Sequence, residues 1–301
     1  MNNRSNRVLF VGLGTMGLPM ATNLVKAGFL VTGHDASAAA VDKFVAAGGV
    51  ATANASAAAK DADVVLTMLP DDRAVIAVLA APDGLLAVMR PGALAIEMST
   101  TSPATKIALC GQATERGVEF VESPVGKTLE AAIAGTLTLM VAGVPTAIER
   151  ARPMLAAMGD EVHVCGAMGA ASSIKLINNA LVACINAASI EALVAGRKAN
   201  IDLDTMMGVF KTTMAWNSAL ATGLPRKALK RDFKPGFMTR LAHKDVGLAL
   251  AMANDLDVPM TQAQAAYATL SAALDEGFGN DDTPGSVLRV IEARGGVQVT
   301  S

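Results

Sequence analysis

The chain has 301 residues, a net charge of −2, 52% apolar and 17% charged residues, and only 3% aromatics. Low apolarity, the mark of disorder, is excluded, and the length predicts two domains. The near-neutral charge without a basic block, and the few aromatics, exclude DNA, RNA and anionic membrane as partners.

The opening "MNNRSNRVLFVGLG" has no secretory leader pattern, so the protein is expected to be cytoplasmic. The first half alternates short β-rich runs with Ala-rich segments of helical length. The runs are Arg7–Gly12, Phe29–Asp35, Asp63–Leu69, Ala93–Ser99, Val118–Ser123, Leu137–Gly143 and Glu161–Gly166. Such alternation predicts an α/β, Rossmann-type doubly wound parallel sheet. After Gly166 the β signal stops. Helices are expected near Met168–Ala199, Asp204–Lys211, Met238–Asp255 and Thr261–Glu276, with a last one before "RGG" at Arg294. The domains are therefore placed at 1–165, a nucleotide-binding domain, and 166–301, an all-α domain.

Directly after the first run, Gly12, Gly14 and Gly17 form G-x-G-x-x-G in "GLGTMG", with Leu13 and Met16 between them. Gly12 allows the tight turn, Gly14 lets backbone approach a pyrophosphate, and Gly17 lets helix and strand pack closely. The second run ends in Asp35, an acceptor for adenosine ribose hydroxyls whose charge repels a 2′-phosphate; NAD(H) is expected over NADP(H). Met68, Leu69 and Pro70 follow the third run and Thr100 the fourth, so their loops fall at the ligand edge of the sheet. Thr100 is assigned to the cofactor. Ser99 and Thr101 read equally well as helix caps before Pro103.

The apolar stretch Ala180–Ala195 contains Asn186 and Glu191 and is read as a buried helix, not a membrane span. Cys110, Cys165 and Cys184 lack paired spacing and are expected to be buried, inert thiols. His34, His163 and His243 are too scattered for a metal cluster. Trp216 fits either a cleft wall or the core, and the final "ARGGVQVTS" reads as a flexible tail.

"GLGTMGLPMATNL" at 12–24, "EMSTTSP" at 97–103, "SPVGKTLEAAIAGTL" at 123–137, "GAMGAASSIKLINN" at 166–179 and "LAHKDVGLALAMANDLDVPM" at 241–260 resemble, in order, the β-hydroxyacid dehydrogenases. The resemblance implies a Rossmann-type domain followed by a helical domain, self-association as a homodimer or homotetramer, and oxidation or reduction of a small hydroxyacid or its aldehyde. It implies that Lys175 is the catalytic acid/base and Asn179 its companion, with Asn178 lining the substrate. Lys244 matches the second lysine of the family, near the nicotinamide, and Asp245 is taken as structural. Positions 175 and 179 share one helix face.

Gly126-Lys127-Thr128 looks like the end of a phosphate-binding loop, but Val121 stands where the leading glycine of G-x-x-x-x-G-K-[ST] is required. In most of the family this loop reads S-G-G and holds a carboxylate. Here it is similar to the G-R-T loop of the sulfolactaldehyde reductase branch, where it clasps a sulfonate. The expected substrate is thus a short anionic aldehyde or its alcohol, best 3-sulfolactaldehyde. Alternatives are 3-hydroxyisobutyrate, 4-hydroxybutyrate and tartronate semialdehyde, and, in another class, a non-catalytic NAD-binding regulator. Retention of Lys175 and Asn179 argues against the regulator.

Overall fold

The structure, a computed structural model, describes residues 7–299. Residues 1–6, where no secretory leader was expected, and residues 300–301 of the expected tail lie outside the described residues. The chain forms two compact units, 1–175 and 176–301. The division falls inside a helix, beyond the change of pattern at Gly166.

The first unit contains β1 (Arg7–Val11), α1 (Gly17–Lys26), β2 (Leu30–His34), α2 (Ala38–Ala46), β3 (Val50–Ala51), α3 (Ala55–Asp61), β4 (Val64–Thr67), α4 (Asp72–Leu79), α5 (Leu85–Val88), β5 (Leu94–Glu97), α6 (Pro103–Glu115), β6 (Glu119–Glu122), β7 (Val125–Gly126), α7 (Leu129–Ala134), β8 (Leu137–Gly143), α8 (Pro145–Met158) and β9 (Gly159–Gly166). The strands lie in the order β3-β2-β1-β4-β5-β6-β8-β7, with β9 on β8. From β3 to β6 every pair is parallel. The doubly wound expectation holds, with β1 at the point where the winding reverses and a ligand crevice opens.

The central strands β1, β4 and β5 are buried on both faces, which is why they read as continuous apolar runs, whereas β9 is mostly exposed. Val8 and Phe10 of β1 pack with Met20 and Leu24 of α1 and with Met154 and Leu155 of α8. Leu9 and Val11 face the other way, against Ala59, Val75, Leu79 and Leu109. Beyond β6 the sheet departs from pure parallel order. β8 runs antiparallel to both β6 and β7 and parallel to β9. β3 and β7 have two residues each, too few to leave a periodic signal.

The second unit follows from α9 (Ala170–Lys198), which starts in the first, through α10 (Leu203–Lys211), a π-helical turn Ala219–Gly223, α11 (Leu224–Arg226), a short 3₁₀ turn Ala228–Lys230, α12 (Thr239–Asp255), α13 (Thr261–Asp275) and α14 (Thr283–Gly295). Its core joins Leu176, Ile190 and Leu193 of α9 to Val246 and Ala249 of α12, Leu270 of α13 and Leu288 of α14.

Three expectations are corrected here. The helix containing Ala180–Ala195 is only partly buried: Leu181 and Val182 are 57% and 43% exposed, and Ile174 and Ile177 before them 45% and 49%, while Leu176 is buried. The helix is long and apolar enough to span a membrane by length and composition, with 33% of its most apolar window buried. The C-terminal segment is docked, since Val299 is buried and donates its amide to Glu292 Oε1 at 2.7 Å. The three thiols are half-buried, not buried. Burial raises the pKa of each, so they are protonated at neutral pH.

Candidate active site

The glycine turn after β1 is shaped by space as well as dihedral. Gly12 has φ +98°, and a Cβ there would meet the Met68 carbonyl oxygen at 2.2 Å. A Cβ on Gly17 would strike the Gly12 carbonyl oxygen at 1.8 Å, whereas Gly14 has nothing within 4 Å. The open side at Gly14 is where an incoming pyrophosphate needs room. No side chain caps the N-terminus of α1, where Met16 stands at the cap position. The helix amides and dipole are thus left for an anion. The residues fit a dinucleotide.

Asp35 accepts from Leu13 N and from Ser37 N, each at 2.7 Å, so the carboxylate is fixed beside the glycine turn. Leu13 itself is buried in the core, which leaves only its backbone to face a ligand. Met68 and Leu69 are half-buried and Pro70 is exposed, in the loop leaving β4. Thr100 is half-buried in the loop leaving β5. The helix cap before Pro103 is Ser102, whose Oγ accepts from Thr105 N at 3.2 Å. Ser99 and Thr101 are both fully buried and do not cap, which corrects that expectation. Thr101 Oγ1 has no hydrogen-bond partner among the described residues.

The loop Gly126–Lys127–Thr128 spans the end of β7 and the start of α7. Thr128 holds the cap position of α7 without capping it. Lys127 takes φ +73°, a conformation natural to glycine. Its ammonium donates to Thr136 O at 2.8 Å and Asp160 Oδ1 at 2.9 Å. The hydrogen bond from Lys127 holds the Asp160 carboxyl below its ordinary pKa.

Lys175 lies half-buried in the second turn of α9. That helix starts on a buried carboxylate. Glu122, at the end of β6, accepts from Gly169 N, from Ala171 N at 3.3 Å, from Ser172 N at 3.2 Å and from Ser172 Oγ. A negative group at a helix N-terminus satisfies its free amides and its dipole. Glu122 sits four residues before Gly126 in the chain, and its side chain anchors the start of the lysine helix.

In the second unit, Asn179 Nδ2 donates to Asp245 Oδ2 at 2.7 Å and Asn178 Nδ2 donates to Asn179 Oδ1 at 3.1 Å. Lys244 Nζ lies 2.9 Å from Asp245 Oδ1. Asp245, only 2% exposed, thus holds both Asn179 and Lys244. His243 stacks on Tyr267 with centroids 4.2 Å apart, and burial lowers its pKa. Trp216 is 36% exposed and is no core residue. Sequence reading missed Glu97, Lys106, Glu122 and Asp160. Glu97, Glu122 and Asp160 leave as their only trace a charged residue at the end of, or just after, an apolar run, and Lys106 stands within a helical segment.

Two family descriptions cover the chain: "NAD binding domain of 6-phosphogluconate dehydrogenase" over residues 7–167 and "NAD-binding of NADP-dependent 3-hydroxyisobutyrate dehydrogenase" over residues 169–291. The 3-sulfolactaldehyde reductase of Escherichia coli is 39% identical over 91% of this chain and 92% of its own. The NAD-dependent L-serine dehydrogenase of Pseudomonas aeruginosa is 38% identical over 84% of this chain and 88% of its own. The solved 3-hydroxyisobutyrate dehydrogenase of Mycobacterium tuberculosis with L-serine superposes with a TM-score of 0.86 at 31% identity, covering 95% of this chain and 99% of that one. The chain belongs to the 3-hydroxyisobutyrate dehydrogenase-like β-hydroxyacid dehydrogenases, NAD(P)-dependent oxidoreductases that act on a CH–OH group.

Proposed function

We propose that the protein is a cytoplasmic, NADH-dependent reductase of a short anionic aldehyde, with 3-sulfolactaldehyde as substrate and 2,3-dihydroxypropane-1-sulfonate as product. The observation that carries this is Lys127 at φ +73°. A left-handed non-glycine residue costs about 1–2 kcal/mol. Such strain kept at the ligand edge of a sheet favours a functional role, here a cation where most of the family has glycine. The identity to the E. coli sulfolactaldehyde reductase supports the same choice.

The bound cofactor supplies the hydride or takes it up. Lys175 gives its ammonium proton to the carbonyl oxygen and, in the reverse direction, takes the alcohol proton as the neutral amine. Asn179, fixed by Asp245 at 2.7 Å, orients the reacting oxygen, and Asn178 lines the substrate. Lys244 is assigned to the nicotinamide on the family resemblance. Gly126, Lys127 and Thr128 receive the anionic head; the ammonium of Lys127 keeps one proton beyond the two it gives to Thr136 and Asp160. Gly12, Leu13, Gly14, Met16 and Gly17 take the pyrophosphate side by backbone, and Met68, Leu69, Pro70 and Thr100 the nicotinamide side. Asp35 takes the ribose hydroxyls and selects NAD over NADP by charge.

Residues 1–165 serve as the cofactor domain and 166–301 as the substrate and oligomer domain. The exposed Ile174, Ile177, Leu181 and Val182 support self-association as a homodimer or homotetramer.

A second reading is favoured by the same cation, since an ammonium binds carboxylate as well as sulfonate: a 3-hydroxyisobutyrate, 4-hydroxybutyrate or tartronate semialdehyde enzyme. Steady-state rates with sulfolactaldehyde, tartronate semialdehyde, succinic semialdehyde, 3-hydroxyisobutyrate and L-serine separate them. The highest kcat/KM is expected for sulfolactaldehyde with NADH. A higher value for any carboxylate removes the sulfonate assignment.

A further inference from the structure

Two buried charges lie outside the chemistry assigned above. Glu97 closes β5, Lys106 lies in α6, both side chains have no solvent exposure, and they form an ion pair. The desolvation of such a pair roughly cancels its attraction, so stability alone does not explain it. Its neighbours do. Ser99 N donates to Glu97 Oε1 at 2.9 Å, and Lys106 Nζ donates to Ser99 O at 3.0 Å. The third polar atom of Ser99, Oγ, accepts from Leu69 N at 2.8 Å. Thr67 Oγ1 also reaches Glu97 Oε1, at 3.4 Å. Ser99 is fully buried, and every polar atom it has is gripped. The knot ties the loop after β4, with Met68, Leu69 and Pro70, to the loop after β5, with Thr100.

We propose that Glu97 and Lys106 are positioning residues that act through Ser99 to fix these two loops against the nicotinamide half of the cofactor. This rests on the cofactor assignment above. Hydrogen bonds to charged groups are directional and strong, and a loop held by them keeps a reacting ring in place better than a loop held by packing alone. The adenosine half has separate supports: Leu13 N on Asp35 Oδ2 and Gly12 N on His34 O.

The test compares NADH with ADP-ribose, which lacks the nicotinamide, on the full-length protein. The double variant Glu97→Leu, Lys106→Met removes both charges while keeping apolar volume, a replacement that buried pairs often tolerate. Its NADH Kd is expected to rise about tenfold or more, the cost of losing hydrogen bonds to charged groups, with ADP-ribose Kd unchanged within about twofold. Ser99→Ala, which cuts the single grip on Leu69, is expected to raise NADH Kd about three- to fivefold with ADP-ribose again unchanged. If NADH and ADP-ribose weaken equally, or neither weakens, in a variant that melts with the parent, the positioning role is overturned. Should the double variant not fold, Ser99→Ala decides in the same way. A parent protein that binds neither NADH nor ADP-ribose would instead overturn the cofactor assignment beneath it.

Discussion

Lys127 holds its charge in a strained backbone and parks it between a carbonyl and Asp160. The side chains of that pair are 38% and 51% exposed, so it is a weak tether that an incoming anion can share or displace. Lys127→Ala is expected to raise KM for anionic aldehydes at least about tenfold while leaving NADH affinity within about twofold, read from steady-state kinetics. Asp160→Asn releases the ammonium and is expected to lower the same KM a few-fold, as loss of a competing exposed ion pair does. The opposite signs matter: a merely solvated lysine would give no change in either variant. Lys127 was legible because a motif departure is local. Asp160 was not, because it reaches Lys127 from the start of β9, across a fold that spacing does not reveal.

The start of α9 is held by the carboxylate of Glu122. Without it, the amides of Gly169, Ala171 and Ser172 lose their shared acceptor. Glu122→Gln is expected to lower the unfolding midpoint by roughly 4–8 °C, since about 2 kcal/mol of charged hydrogen bonding is lost. The first turn then shifts, and kcat is expected to fall about tenfold or more at unchanged NADH affinity, because small misplacements of a reacting group are costly. Unchanged melting and kcat would show that the helix start is held by packing. The central strands β1, β4 and β5 were legible since strands buried on both faces are apolar throughout. β3 and β7 were not, at two residues each. The cap at Ser102 was misplaced because Ser99, Thr101 and Ser102 all carry capping hydroxyls; only packing shows that Ser99 and Thr101 point inward.

Across the whole molecule, the change from β-rich to helical pattern near Gly166 foretold two kinds of structure, while the division at 175–176 inside α9 was invisible because a helix continues through it. Apolar composition also misled about burial: Ile174, Ile177 and Leu181 are 45–57% exposed on one stripe of α9. An apolar stripe left open by its own chain suits a second copy. Leu181→Asp is expected to raise the dissociation constant of the self-associated form at least about hundredfold, since burying one leucine contributes about 1.5–3 kcal/mol and burying a charge opposes it. Sedimentation at micromolar concentration reads this directly, and a parent protein that is already monomeric there contradicts it.

The proposed chemistry turns on a proton held by one amine, that of Lys175. In Lys175→Met, single-turnover mixing of the NADH-loaded enzyme with the aldehyde should show hydride transfer slowed by about 10²–10⁴-fold, the usual contribution of a positioned acid, with NADH affinity unchanged. Hydride transfer at the parent rate in that variant would contradict the assignment of Lys175 and the reaction built on it.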